Sequence, residues 1–73
     1  MRREPVESSA IKSIGYDEDK EVVEVEIFET GKIYRYYDVP LEDYLALIEA
    51  DSIGKYYNQV FKPEFTNYEE VNK

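Results

Sequence analysis

The stretch Glu21-Val22-Val23-Glu24-Val25-Glu26-Ile27-Phe28 decides the fold. It is rich in β-branched residues, and from Val23 to Ile27 apolar and acidic residues alternate strictly. Successive side chains of a strand point to opposite sides, so the pattern predicts a strand with Val23, Val25 and Ile27 on one face and Glu24 and Glu26 on the other. Glu29-Thr30-Gly31-Lys32 follows as a hairpin turn, with Gly31 able to take a positive φ. Residues 32–38, Lys32-Ile33-Tyr34-Arg35-Tyr36-Tyr37-Asp38, form the returning strand. A two-residue loop at Thr30-Gly31 sets Glu29 opposite Lys32, Ile27 opposite Tyr34, Glu26 opposite Arg35 and Val25 opposite Tyr36. One face then collects Val23, Val25, Ile27, Tyr34 and Tyr36, and the other carries two opposite-charge pairs with Glu24 and Tyr37. Cross-strand pairing favours this arrangement, whereas a one-residue slip would set Glu26 against Tyr34.

On the N-terminal side, Ser9-Ala10-Ile11-Lys12-Ser13-Ile14-Gly15-Tyr16 reads as a first strand and Asp17-Glu18-Asp19-Lys20 as a polar turn. Ile11 and Ile14 have opposite parity, which a β-bulge between them would reconcile. On the C-terminal side, Val39-Pro40 ends the sheet, and proline suits the first turn of a helix, where its missing N–H is not needed. Residues 40–50 space Leu41, Tyr44, Leu45, Leu47 and Ile48 as one face of an amphipathic helix, with Glu42 and Asp43 in the first turn, where the helix dipole favours anions. Asp51-Ser52 breaks it and supplies the N-cap of a second helix, whose apolar face is Ile53, Tyr56, Tyr57 and Val60 and which Lys62-Pro63 stops. Residues 1–8 and 66–73 read as tails around one domain of residues 9–65, with Phe65 and Tyr68 as docking points. The expected class is α+β: a three-stranded antiparallel sheet followed by two helices packed on one face, in the order β-β-β-α-α.

Composition narrows what such a domain can do. With 73 residues there is room for one domain, and a chain of this size buries only roughly 60–65% of the surface it exposes when unfolded. The chain has no cysteine and no histidine, which removes disulfides, thiolate zinc sites and the commonest general base. Eight Tyr and three Phe supply the large apolar surfaces the core needs. No segment is apolar for the ~20 residues of a membrane span, and the basic start Met1-Arg2-Arg3 leads into no apolar run, so neither a membrane anchor nor a signal peptide is expected, and the cytoplasm is. The net charge of −8 lacks the basic footprint of an ordinary nucleic-acid binder. Lys12, Lys20, Lys32, Arg35, Lys55 and Lys62 are scattered along the chain and would have to converge in space to make one.

Several spaced residues carry a likeness to a known family. Ser8-Ser9-Ala10-Ile11, Ile14-Gly15-Tyr16-Asp17, the central Tyr34-Arg35-Tyr36, Val39-Pro40 and Ala50-Asp51-Ser52-Ile53-Gly54-Lys55-Tyr56-Tyr57-Asn58 together resemble the KTSC domain over roughly residues 6–65. That domain is named for its occurrence at the C-terminus of some lysyl-tRNA synthetases, and it also occurs as a stand-alone small bacterial protein. The Tyr-x-Tyr is weak alone; the series Ser52, Gly54, Tyr56 and Asn58 makes the likeness specific. The resemblance implies a binding module, and its association with the synthetase suggests RNA, either tRNA or single-stranded.

Each candidate residue has a binding and a structural reading. Tyr34 and Tyr36 offer faces on which bases could stack, or they fill the core as their pairing with Ile27 and Val25 implies. Arg35 and Tyr37 project from the other face, for contact with a partner or for an Arg35–Glu26 pair on a solvated sheet. Lys32 adds charge beside them. Ser52, Gly54 and Lys55 open a helix where free N–H groups could attract phosphate, or Ser52 is a plain cap and Gly54 permits close packing. Tyr56 and Asn58 extend that set, Asn58 either reading a base or capping local backbone. Asp17-Glu18-Asp19 lacks the spacing of a calcium loop, so no metal is expected. No nucleophile–base arrangement can be named, so neither catalysis nor a cofactor is expected. The partner classes left are RNA, or a protein, including a second copy of the chain paired through a sheet edge.

Overall fold

A computed structural model describes residues 3–71. Five strands form one antiparallel sheet in sequence order: β1 (Arg3–Pro5), β2 (Ile11–Asp17), β3 (Val22–Ile27), β4 (Ile33–Tyr36) and β5 (Tyr68–Val71). Between β4 and β5 the chain leaves the sheet for α1 (Leu41–Ile48) and a helical run made of α2 (Ile53–Tyr56), a wide π turn (Tyr57–Phe61) and α3 (Lys62–Glu64). The α+β class and the helices on one face agree with expectation; the strand number does not. Arg3–Pro5 and Tyr68–Val71 lie in segments read as tails, yet they pair with β2 and β4 and form the two edges.

The central hairpin keeps the expected faces but not the expected partners. Val23 pairs with Tyr36, Glu24 with Arg35, Val25 with Tyr34 and Glu26 with Ile33. The loop is longer than two residues: Ile27 N–H donates to the Lys32 carbonyl at 2.8 Å, and Gly31, at φ 71°, donates to the Ile27 carbonyl at 2.9 Å. The shift is of two residues, which preserves side-chain parity. β2 carries the anticipated bulge between Ile11 and Ser13, so Ile11 and Ile14 both reach the core while Lys12 stays outside.

The core lies between the sheet and the helices. Ile11, Ile14, Val23, Val25, Tyr36 and Val39 meet Leu47, Ile53, Tyr57 and Phe61. In α1 the inward residues are Leu47, Tyr44 and Ile48, whereas Leu41 and Leu45 remain exposed. In the second helical run Phe61, not Val60, takes the last inward place. The π turn is the cause: Lys62 N–H donates to the Tyr57 carbonyl five residues back, so the run holds one residue more than α-geometry would. Pro63 gives this widening a physical reason, since its ring would collide with the carbonyl four residues back in a regular helix.

The helix-free face of the sheet is not the solvated surface expected of it. Glu24 and Glu26 are 4% and 8% exposed. Across the sheet one row runs Arg3, Gly15, Glu24, Arg35, Glu69. Gly15 has no side chain, so Arg3 reaches over it to hydrogen-bond Glu24, while Arg35 donates to the other Glu24 oxygen at 2.8 Å. Arg35 thus pairs with Glu24 and not with Glu26, which accepts from Ser13 Oγ at 2.9 Å. Burial alone would raise the Glu24 carboxyl, but the hydrogen bonds and charges of Arg35 and Arg3 override it and hold the group below its ordinary value. Among the described residues no helix is long and apolar enough to cross a membrane.

Candidate functional site

The Tyr-x-Tyr of β4 puts two rings on the core side of the sheet, close to its edge with β5. Tyr36 points inward and is 2% exposed, and Tyr34 is half-buried beside it. From β5, Tyr68 lays its ring 5.2 Å from that of Tyr36 and 6.0 Å from that of Tyr34, the latter edge-on. From the π turn, Tyr57 meets Tyr36 edge-to-face at 6.0 Å, with their hydroxyls 2.6 Å apart. Phe61 closes the aromatic cluster from below, 5.0 Å from the Tyr36 ring. Such edge and tilted contacts suit the quadrupoles of the rings.

These rings surround a cleft of about 460 Å³ between the sheet and the helical run. That volume lies in the range of ligand pockets, roughly 300–1,000 Å³. Tyr34, Tyr36, Tyr57 and Tyr68 form its aromatic lining; Asn58 and Lys62 come from the helical run, Glu29 and Thr30 from the hairpin loop, and Ser9 and Ala10 from the segment before β2. Lys62 Nζ stands 5.7 Å from the centre of the Tyr57 ring, within reach of a cation–π contact. Burial raises the Tyr36 phenol above its ordinary value, and burial with the Tyr36 hydrogen bond raises that of Tyr57 further. Both hydroxyls therefore stay protonated at neutral pH and serve as hydrogen-bonding groups.

Of the residues singled out in the sequence, the cleft brings together Tyr34, Tyr36 and Asn58. The others lie elsewhere. Arg35 and Tyr37 are on the helix-free face, where Arg35 holds Glu24 and the Tyr37 hydroxyl donates to Glu69. Lys32 is exposed, 3.8 Å from Glu70. Ser52 caps its helix by accepting from Lys55 N–H at 3.4 Å, and Lys55 itself is exposed. Gly54 is a packing residue: a Cβ there would come 3.0 Å from the Ala10 Cβ and 3.3 Å from Ser8 Oγ. Tyr56 is half-buried against the core. Among the described residues the cations therefore do not gather in the cleft, which Lys62 lines; Lys20 and Arg35 meet in a separate depression beside Asp17 and Tyr37. Tyr68, Lys62, Ser9 and Thr30 carry no local sequence signal of a site: the pairing of β5 with β4 brings in Tyr68, and the packing of the helical run and the hairpin loop around the cleft brings in the others. Among the described residues, no cluster of three or more acidic side chains could hold a metal ion.

Comparison with known proteins bears on what this arrangement belongs to. The sequence matches the KTSC domain over residues 7–65. It is 48% identical over 68 residues to an uncharacterized protein of Stutzerimonas stutzeri, covering 93% of this chain and 94% of that one. A protein of Tsukamurella paurometabola is 42% identical over 62 residues, covering 85% of this chain and 91% of its own. The crystal structure of a KTSC domain protein from Yersinia pestis superposes with a TM-score of 0.88 at 35% identity, over 97% of each chain. The chain belongs to the KTSC domain family.

Proposed function

We propose that this chain is a non-catalytic, cytoplasmic binding module that takes an unstacked base of single-stranded RNA, free or in a tRNA, into the tyrosine cleft. The observation that carries this is the gathering of Tyr34, Tyr36, Tyr57 and Tyr68 around one ligand-sized opening with Asn58 and Lys62 beside them. Tyrosine faces accept any base, and base–aromatic stacking contributes ~1–3 kcal/mol per base. Asn58 offers both a donor and an acceptor to a base edge. Lys62 supplies one positive charge for a phosphate. The absence of histidine and cysteine, and two phenols held protonated by burial, argue for binding without chemistry.

The test is an NMR titration of labelled protein with short single-stranded RNA and with tRNA, at low and then moderate salt. Shifts clustered on Tyr34, Tyr57, Asn58, Lys62 and Tyr68 are expected. No shift at low salt, where electrostatic affinity is greatest, overturns the proposal. A protein partner is the second reading, favoured by the net charge of −8 and by the engagement of Arg3 and Arg35 with Glu24. An acidic surface prefers a basic partner, and shifts with basic peptides in place of RNA would select it.

A further inference from the structure

The Tyr36 and Tyr57 hydroxyls lie 2.6 Å apart, and either can donate to the other. Two hydroxyls carry two protons, and the bond between them uses one. Neither hydroxyl has another hydrogen-bond partner among the described residues. The residues are 2% and 3% exposed, and both line the cleft. A buried donor without an acceptor is costly, and the cleft is the side from which an acceptor can come.

We infer that the Tyr36–Tyr57 pair is a hydrogen-bond donor built into the floor of the cleft, and that it selects an occupant leading with a carbonyl oxygen. Resting on the base-binding proposal above, this means the keto bases, uracil and guanine, over the amino bases, cytosine and adenine. Entering by the edge away from the ribose, uracil presents O4 and guanine O6, both acceptors, at the position where cytosine and adenine carry an amino group; cytosine's own carbonyl, O2, lies beside the glycosidic bond. An amino group can donate to a tyrosine oxygen but leaves the last hydroxyl proton unpaired. A carbonyl pairs it. Sites built to hydrogen-bond a particular group discriminate through the polar atoms that the wrong ligand leaves unsatisfied.

The pair has a property that a single tyrosine lacks. In Tyr36→Phe the Tyr57 hydroxyl remains with its proton free, and in Tyr57→Phe the Tyr36 hydroxyl does. Each single variant therefore keeps a donor, and only the double variant loses it. Removing both partners together leaves no buried polar group unpaired, so the double variant is expected to fold, which thermal denaturation checks.

The experiment measures binding of fluorescent hexanucleotides of uridine, cytidine and adenosine by anisotropy, to the wild-type chain, both single variants and Tyr36→Phe/Tyr57→Phe. Uridine is expected to bind about tenfold more tightly than the other two, the equivalent of one net hydrogen bond. Each single variant keeps that preference to within about threefold, and the double variant loses it. Equal binding of the three oligonucleotides by the wild-type chain overturns the inference, as does a preference that survives in the double variant. A second arm uses N-methylacetamide, a carbonyl with no base, and follows the Cζ resonances of Tyr36 and Tyr57. If no oligonucleotide binds but the amide moves these resonances, the RNA proposal falls and the donor stands. If neither probe has an effect, the donor falls as well.

Discussion

At the scale of single residues, the positions that matter most are those where the structure leaves no room. Tyr36 is buried among Val23, Phe61, Tyr57 and Tyr68. Tyr36→Ala is expected to destabilise the chain by about 3–5 kcal/mol, read by chemical denaturation. Gly54→Ala adds one methyl where Ala10 Cβ stands 3.0 Å away, and the neighbouring segments must separate to take it. Its expected cost is about 1–3 kcal/mol, read by chemical denaturation. Gly54 shows how a motif can be legible while its meaning is not. Its spacing marks the family, but whether the missing side chain admits a phosphate or the segment before β2 depends on Ala10 and Ser8, residues more than forty positions away in sequence.

At the scale of elements, the strictly alternating β3 was readable because burial on one face imposes a two-residue period. Its partners were not, because a two-residue loop and the observed longer one both place Gly31 at a positive φ and both preserve parity. The edge strands were hidden for a different reason. Arg3–Pro5 and Tyr68–Val71 are short and polar, and they are held by pairing and by contacts such as Arg3 to Glu24 that no local pattern reveals. The same contact makes the sheet sensitive to acid. The Glu24 carboxyl has a folded-state pKa below its unfolded value, so its contribution to stability is present above the unfolded value and is lost as pH falls through the folded one. The melting temperature should therefore fall as pH is lowered below about 4. Glu24→Gln should be less stable than the wild-type chain at neutral pH and should flatten that acid limb; an unchanged limb would assign it to other carboxylates.

At the scale of the whole molecule, the decisive fact is the distribution of charge. A chain of net charge −8 whose Arg3 and Arg35 both bind a buried carboxylate cannot lay a polyanion along a basic track. The proposed RNA binding through the cleft would then depend on stacking and hydrogen bonds, with Lys62 as the local cation. For single strands the salt slope is about −0.7 per phosphate neutralised, so a plot of log affinity against log salt should have a slope near −0.7. A slope several times steeper would place the binding surface elsewhere. The aromatic half of the candidate site could be read from the Tyr-x-Tyr and from the apolar stripe that includes Tyr57. Tyr68 joins it only when the chain returns to the sheet after the helices, a long-range closure that sequence periodicity does not encode.

The π turn has a consequence for insertions and deletions. Ile53, Tyr57 and Phe61 are separated by four residues and four again, and the π turn between Tyr57 and Lys62 holds one residue more than an α-helix would. Deleting Gln59 would bring Phe61 into the place that Val60 holds by count, so a regular helix would still send both Tyr57 and Phe61 into the core. Pro63 would then meet the carbonyl four places before it, a conflict that pairing the deletion with Pro63→Ala removes. The helical run thus carries a spare residue that the core does not require. A shortened chain that folds with its core intact but with an altered cleft would separate what this segment does for stability from what it does for recognition.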